Sequence, residues 1–413
     1  PTAAAIACLG VHAMDIDSTA SRRSREPRPL PWAWRSASEI SRGAAAEDSP
    51  SSLEGYGAWA ARKLVLMGHH LFMETMEIRE NHLLKGVSEE QVVYDLITSS
   101  AKHRQVLFRC LGEKGGPPPQ GENSLAEEDA FHDGVTDFYH VWTLAEIFLL
   151  VRPILPSASL LPWLDVYRQS REDEVTSVMH QEVEDALYDG KPGERHPRYW
   201  EVVKALVLTG RTERAAAMLR RHSQGGPGGE ADRLARLVES YPHLIPEDAR
   251  SESGVFQRNW TRWRRSTIEA ARRSKDEHIR ELWDVISGDR RALEGNTNTW
   301  FELLMAELLY SQPGLEPEDL PGLLAACSRK YPAHSSEEFL LEIMVEAVSE
   351  GASKVVDFCR GHGSTSLAFT SCAAHLIDLL VEARSPGATP QARLWMFTRL
   401  AERLEVVPCG WEL

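Results

Sequence analysis

The chain has 413 residues, with 46 Lys and Arg against 61 Asp and Glu, which gives a formal net charge of −15. This balance argues against a surface built mainly to bind phosphate backbones, because such binding depends on Lys and Arg displacing counterions. A hydrophobic content of 42% with 26% charged residues is typical of a globular chain and excludes disorder throughout. The length alone suggests two or three domains.

Residues 1–50 differ in composition from the rest of the chain. Pro27, Pro29 and Pro31 interrupt this segment, and prolines remove backbone donors and favour extended conformations. We therefore expect an extended N-terminal segment, partly disordered, with a candidate short strand at 6–11. The first residues lack the basic start of a signal peptide.

From residue 51 onward the sequence predicts helix after helix. Apolar residues recur at helical spacing in several runs, and strand-like alternation is nearly absent. Serine-based capping boxes precede four of these runs, at Ser51–Glu54, Ser88–Gln91, Ser124–Glu127 and Ser335–Glu338. The spacing of the helices fits no regular repeat. We therefore predict an all-α fold over 51–413, an irregular α-solenoid.

The clearest helical pair lies at 196–223. Its first helix carries Tyr199 and Trp200 on an apolar stripe, which we expect to form the core of the pair. Gly210 is placed to adopt the left-handed conformation that ends a helix, and Thr212 to cap the next one. The tight connection predicts antiparallel helices that bury their stripes against each other.

Membrane and disulfide chemistry are not indicated. The most apolar run, 143–155, is interrupted by Glu146 and Arg152 and is shorter than the ~20 residues of a spanning helix. The six cysteines form no C-x-x-C pair, so we expect reduced, mostly packed thiols in the cytosol or nucleus.

No catalytic, cofactor or metal site is predicted. The sequence has no H-E-x-x-H motif, phosphate-binding loop or dinucleotide fingerprint. The run GHGS at 361–364 does not bracket a serine as a nucleophile elbow does, so we interpret it as a turn between helices. His69 and His70 are adjacent on a predicted helix and point about 100° apart, which does not suit a shared metal ion.

A basic run at 258–273 is the only hint of nucleic-acid binding. Trp260, Trp263 and Thr267 are spaced by three and four residues, which predicts a buried stripe on a helix with a charged outer face. The alternative is an RNA-binding helical adaptor that uses the arginines of this run, at positions 258, 262, 264, 265, 272 and 273.

Several motifs resemble one known family in order and spacing, from about residue 130 to 380. They are VWTLAEIF at 141–148, LLPWL at 160–164, YWEVVKALVLTGR at 199–211, WTRW at 260–263, WFELL at 300–304, LLYS at 308–311 and HLIDLL at 375–380. Together they resemble the nucleoporin-85 family, a scaffold component of the Y complex in the outer ring of the nuclear pore.

The resemblance implies a U-shaped helical fold of the ancestral coatomer type, with crown and trunk. The residues that carry it are expected in the helical core: Trp142, Trp163, Tyr199, Trp200, Gly210, Trp260, Trp263 and Trp300. Family members add an N-terminal β-blade to an open WD-repeat β-propeller. Here the corresponding partner-binding candidates are Ile6, Leu9, Val11, Leu30, Trp32 and Trp34. The family's C-terminal tail, which joins the hub of the Y, is expected to be absent here.

The resemblance therefore implies a non-enzymatic scaffold at the nuclear pore, in the nuclear envelope, that supports mRNA export and protein import. Its expected partners are the WD-repeat propeller and other Y-complex nucleoporins, with no cofactor, no small-molecule substrate and no direct nucleic-acid contact. A membrane would be reached only through the assembly. The alternatives are a subunit of another coatomer-like membrane coat and, from a different class, the RNA-binding adaptor.

Overall fold

The computed structural model describes residues 56–112, 122–171, 181–183, 185, 193–244, 253–335 and 337–406. Every regular element in these ranges is helical, and none of their residues belongs to a strand. The prediction of an all-α fold is therefore confirmed. The proposed N-terminal segment 1–50, with its candidate strand, lies outside the described residues.

The helices are numbered here in chain order. The first eight are α1 (Tyr56–Lys85), α2 (Glu89–Gly112), α3 (Glu122–Ala145), α4 (Ser157–Arg171), α5 (Tyr199–Leu208), α6 (Thr212–Arg220), α7 (Glu230–Glu239) and α8 (Ser253–Ala271). The others are α9 (Glu277–Ile286), α10 (Arg290–Asn296), α11 (Trp300–Ala306), α12 (Leu320–Lys330), α13 (Glu338–Val348), α14 (Ser353–His362), α15 (Leu367–Glu382) and α16 (Pro390–Val406). Turns of π-helix extend α3 over Glu146–Val151 and α11 over Glu307–Ser311.

The chain divides into two compact units. Unit 1 combines Pro1–Arg152 with Glu338–Leu413, and unit 2 is the intervening Pro153–Glu337. Unit 1 is therefore discontinuous in sequence, whereas unit 2 is a single segment. Our division into a segment 1–50 and a solenoid 51–413 remains a prediction.

Unit 1 is organised around α15. Helices α1, α3, α14 and α16 all pack against it, and every residue from 368 to 380 is buried. A helix that is apolar on all sides can be stable only in such a central position. Gly68 permits the close approach of α1, because a Cβ atom there would lie 2.2 Å from Ser371 Oγ. The core of unit 1 therefore depends on residues from both ends of the described chain.

The segment Asp129–Val151 is long and apolar enough to cross a membrane. The sequence-based interpretation concerned only the shorter run 143–155. Its most apolar part is 89% buried within the protein, and α2, α13 and α15 pack against α3. It is therefore a core helix of unit 1.

Unit 2 stacks helices that are close in sequence. Helix α5 packs on α6, α6 on α7, and α8 on α9, while α11 packs on both α4 and α12. The Tyr199 hydroxyl, at the start of α5, donates to the carbonyl oxygen of Met218, near the end of α6, at 2.9 Å. The two helices are thus antiparallel, as predicted. Gly210 ends α5 with a φ of +69°, in the left-handed region that glycine adopts readily.

The predicted helix starts are only partly correct. Ser88 Oγ accepts the N–H of Gln91 at 3.3 Å, just before α2. Ser124 lies inside α3, and Ser335 lies three positions before α13 rather than directly at its start. Thr212 is already the first helical residue of α6, and its hydroxyl lies 3.2 Å from His243 Nε2 instead of capping the helix. Ser51–Glu54 lies outside the described residues.

Trp200 does not fill the core of the α5–α6 pair, contrary to our expectation. It is only partly buried, and its ring lies 5.2 Å from the rings of His222 and His278. Its neighbour Tyr199 is fully buried instead. On a helix, adjacent residues point about 100° apart, so the two rings cannot both face the centre of the pair.

This difference predicts unequal costs of truncation. Trp163→Ala removes a fully buried ring and should lower the free energy of unfolding by about 3–5 kcal/mol. Trp200→Ala should cost about half as much, because part of its ring is already in contact with water. Urea unfolding followed by circular dichroism measures both values. An equal or larger loss for Trp200→Ala would contradict the burial described here.

Candidate functional site

One aromatic cluster joins α4 to α11 in unit 2. The ring of Trp163 stacks on Tyr167 at 5.3 Å, and Tyr167 contacts Trp300 and Phe301 at 5.9 and 5.2 Å. The indole nitrogen of Trp300 donates to the Glu337 carboxylate at 2.9 Å. This cluster combines apolar burial with a directional bond, so it fixes the relative position of the helices as well as stabilising them.

A second cluster ties side chains to the backbone of other helices. Tyr310 donates to the Val207 carbonyl at 2.6 Å, and Tyr241 to the Leu309 carbonyl at 2.7 Å. Burial raises the pKa of the Tyr310 and Tyr241 hydroxyls, so both remain protonated donors. Their partners are carbonyl groups near helix C-termini, which lack partners within their own helix. Buried hydroxyls here hold helix ends in place.

Helix α8 has the two faces that the sequence predicts. Trp260, Trp263 and Thr267 are buried, and the indole nitrogen of Trp263 donates to the Leu237 carbonyl at 2.8 Å. Arg264 lies at the edge of this buried face. Its Nε donates to the Ser287 carbonyl at 2.9 Å, and its guanidinium lies 5.1 Å from the Trp260 ring. The interpretation of the tryptophans as core residues is supported by this packing.

A buried polar cluster lies in unit 1 where α3 passes into its π-helical turn. Glu146 forms an ion pair with Arg104 at 3.2 Å and accepts a hydrogen bond from Ser100 at 2.9 Å. The indole nitrogen of Trp142 donates to the same Ser100 hydroxyl at 2.9 Å. Burial raises the pKa of the Glu146 carboxyl, and the charge of Arg104 opposes that rise. The cluster joins α2 to α3.

A second ionic cluster joins α1, α15 and α16. Arg79 and Arg393 each contact Asp378, at 3.1 and 3.2 Å, and each also contacts Glu382 at 2.6 Å. Asp378 is almost fully buried, whereas the two arginines are about a quarter exposed. Two carboxylates thus bridge two arginines from helices at opposite ends of the described chain. Removal of one member would leave a buried charge with fewer partners.

Two histidines are buried in unit 1 in the neutral form. Burial lowers the pKa of His103 and of His375 to about 3. The ring of His103 stacks on Trp142 at 4.2 Å, and neither of its nitrogens has a hydrogen-bond partner in the described part of the chain. These imidazoles serve as packing groups, because protonation would place a charge in the core.

The remaining candidates for catalysis or metal binding are cysteines, His69 with His70, and the run at 361–364. Cys110, Cys327, Cys359 and Cys372 are buried, and burial raises the pKa of the Cys327 thiol to about 12. Among the described residues no group of three or more His, Cys, Asp or Glu side chains is arranged to hold a metal ion. His69 and His70 are exposed on α1. The sequence at 361–364 forms the end of α14 and the turn that follows it.

The predicted site residues are placed in three ways. Trp142, Trp163, Tyr199, Trp260, Trp263 and Trp300 are buried, Trp200 is half-buried, and Gly210 lies in a turn. Trp142 belongs to unit 1 and Trp163 to unit 2. The partner-binding candidates Ile6, Leu9, Val11, Leu30, Trp32 and Trp34 lie outside the described residues.

Sequence reasoning missed the ionic groups of the core. Glu146 gave a signal, because it interrupts an otherwise apolar run, but that signal was used only against a membrane span. Arg79 and Asp378 gave none, since 299 positions separate them along the chain. Only the packing of α1 on α15 brings them together.

Comparison with known proteins identifies relatives. A family model described as Nup85 nucleoporin matches residues 59–399. The nuclear pore complex protein Nup85 of Bos taurus is 28% identical over 337 residues, which cover 77% of this chain and 48% of that protein. The Homo sapiens protein is 25% identical with the same coverage, and the Arabidopsis thaliana protein is 23% identical over 61% of this chain and 38% of its own length. The chain spans about half the length of the animal relatives that it matches.

The buried histidines predict acid sensitivity. In the unfolded chain each binds a proton near pH 6.5, but in the folded chain only near pH 3. As pH falls between these values the unfolded state binds more protons, so each histidine lowers the free energy of unfolding by up to about 1.4 kcal/mol per pH unit.

His103→Phe keeps a ring against Trp142 and removes one of these protons. It should reduce the slope of unfolding free energy against pH by up to that one-proton amount between pH 6 and 5, measured by urea unfolding. Leu107→Met, at a buried position of the same helix with no titratable group, is the control and should keep the wild-type slope. An unchanged slope in His103→Phe would show that His103 is not neutral in the folded core.

Proposed function

Since the chain belongs to the Nup85 nucleoporin family, we propose that it is a structural subunit of the nuclear pore complex at the nuclear envelope. The observation that carries this proposal is that buried polar side chains join one helix to another. Glu146, Asp378, Tyr241 and Tyr310 are buried, and each bonds to another helix. Such groups maintain the spacing of helices, which a structural scaffold requires.

The proposed scaffold acts by presenting surfaces rather than by catalysis. Stacked helices offer a large exposed area, and tethered helix ends keep that area in a fixed geometry. The resemblance noted in the sequence supports a place in the outer-ring Y complex, next to other nucleoporins. Through that assembly the chain would support mRNA export and protein import. The family match favours the pore over another coatomer-like membrane coat.

We further propose that residues 1–50 bind a WD-repeat β-propeller. An extended segment can add a strand to an open sheet, where main-chain hydrogen bonds supply affinity and alternate side chains supply specificity. Ile6, Leu9 and Val11 would provide one set of apolar contacts, and Leu30, Trp32 and Trp34 another.

Co-purification with the WD-repeat propeller of the pore's outer ring tests this binding. The full chain should retain the propeller through gel filtration, and a chain that begins at residue 51 should lose it. Trp32→Ser with Trp34→Ser should weaken binding by about tenfold or more, the loss of one or two buried anchors. Ser36→Ala with Ser38→Ala is the matched control in the same segment and should bind normally.

Two results would count against the proposals separately. Propeller binding that survives deletion of residues 1–50 would reject the blade but keep the scaffold. Failure of a tagged full chain to reach the nuclear rim, with accumulation on cytoplasmic vesicles instead, would favour the membrane coat and reject the pore assignment.

A further inference from the structure

The outer face of α8 carries a stripe of arginines. Arg258, Arg262 and Arg265 lie on α8, and Arg272 directly follows it, where its N–H donates to the Ile268 carbonyl at 3.4 Å and continues the helical pattern. The four are separated by four, three and seven residues, and all are exposed. At 100° per residue this spacing places them on one side of the helix, opposite the buried tryptophans. With a rise of 1.5 Å per residue the stripe is about 21 Å long. We call these four residues the arginine stripe.

The arginine stripe has no acidic partner among the described residues. None of its members forms an ion pair there, although Glu269 lies between Arg265 and Arg272 on the same face. By contrast, Arg79 and Arg393 in unit 1 each contact two carboxylates. Four like charges along one helix face destabilise that helix slightly, since like charges one turn apart repel.

A groove beside the stripe carries charges of both signs. It lies between α7 and α8, has a volume of about 330 Å³, and is lined by Arg233, Arg236 and Arg273 together with Glu230 and Glu269. Leu237, Ala270 and Trp283 contribute apolar atoms to the same groove. A partner could therefore gain ionic contacts along the stripe and an apolar contact beside it.

Helix α8 presents the stripe on a rigid support. Trp263 is bonded to the backbone of α7, and Arg264 to the backbone after α9. The helix therefore holds the backbone of the arginines in place, and each guanidinium group can bind a carboxylate through two parallel hydrogen bonds.

We propose that the arginine stripe is a docking surface for an acidic segment of a partner protein. The inference goes beyond the scaffold role, because it assigns a surface and the chemistry of its partner. Charge complementarity selects the partner: four exposed arginines lie on one side of a single helix, in a chain with a net charge of −15. Salt screens charges beyond about 8 Å, so the stripe acts locally on carboxylates in direct contact.

An acidic protein segment fits better than RNA. Bases bind single-strand surfaces by stacking on aromatic rings, but Trp260 and Trp263 face the core. A polynucleotide would also extend past the 21 Å stripe, and its further phosphates would meet a predominantly acidic chain. A short run of carboxylates needs no exposed aromatic rings and does not extend past the stripe.

Fluorescence anisotropy of the full chain tests the proposal. The probe is a labelled 15-residue helical peptide with glutamates at the spacing of the stripe, compared with a uridine 15-mer RNA. The wild-type chain should bind the peptide more tightly than the RNA at 50 mM salt. Arg262→Glu with Arg265→Glu and Arg272→Glu should weaken peptide binding by about tenfold or more.

A matched control carries the same change in charge at scattered positions. Arg198→Glu, Arg291→Glu and Arg329→Glu alter exposed arginines elsewhere in unit 2 and should leave peptide affinity within about twofold. Equal weakening in both triple variants would show a general effect of net charge and overturn the proposal. The proposal would also be overturned if the wild-type chain bound the RNA more tightly than the peptide and only the stripe variant lost that binding, because the stripe would then bind nucleic acid.

Zero-length crosslinking in the assembled complex provides an independent test. Arg262→Lys, Arg265→Lys and Arg272→Lys keep the charge and supply amines that a carbodiimide couples to carboxylates in contact. Crosslinks from these positions to Asp or Glu of another chain would support the proposal. Crosslinks only to carboxylates of this chain, or thermal destabilisation of the isolated Arg→Glu variant by several degrees, would assign the stripe to an internal contact and overturn it.

Discussion

The burial of α15 along residues 368–380 is the constraint on which unit 1 depends. A helix with apolar residues on every side cannot be stable at a surface, so other helices must cover it all round. Helices from the first part of the described chain, α1 and α3, provide one part of that cover, and α14 and α16 provide another. The ion pairs of Asp378 with Arg79 and Arg393 then specify how α1 and α16 meet α15. Closure of this unit therefore requires both ends of the described chain.

Unit 2 solves the same problem with local contacts. Its helices bury their stripes mainly against neighbours in sequence, and α11 also packs on the more distant α4. Buried tyrosine hydroxyls bond to carbonyl groups near the ends of other helices. Burial alone is not directional. The hydroxyl and indole bonds provide the geometric specificity that apolar packing lacks.

The internal packing of the two units supports the proposed role of the chain in the nuclear pore. A scaffold must keep its surfaces in register, and polar tethers inside each unit serve that purpose without any reactive group. The arginine stripe of α8 adds a surface that the internal packing does not require. Its charges face solvent on a helix whose opposite face is fully occupied, which is the arrangement expected of a docking site for an acidic segment.

The sequence by itself determined the all-α class, most helix positions and the inward orientation of Trp260 and Trp263. These features follow from helical periodicity, which depends only on residues a few positions apart in the sequence. The family followed from tryptophans and a glycine in a fixed order, and Gly210 from the backbone conformation that its turn requires. Only the tertiary structure decided that Trp200 lies at the edge of its pair and that the long apolar segment ending at Val151 is a core helix. It alone also decided that Arg79 meets Asp378. These outcomes depend on which helices become neighbours after folding, and contacts between residues almost 300 positions apart leave no periodic signal in the sequence.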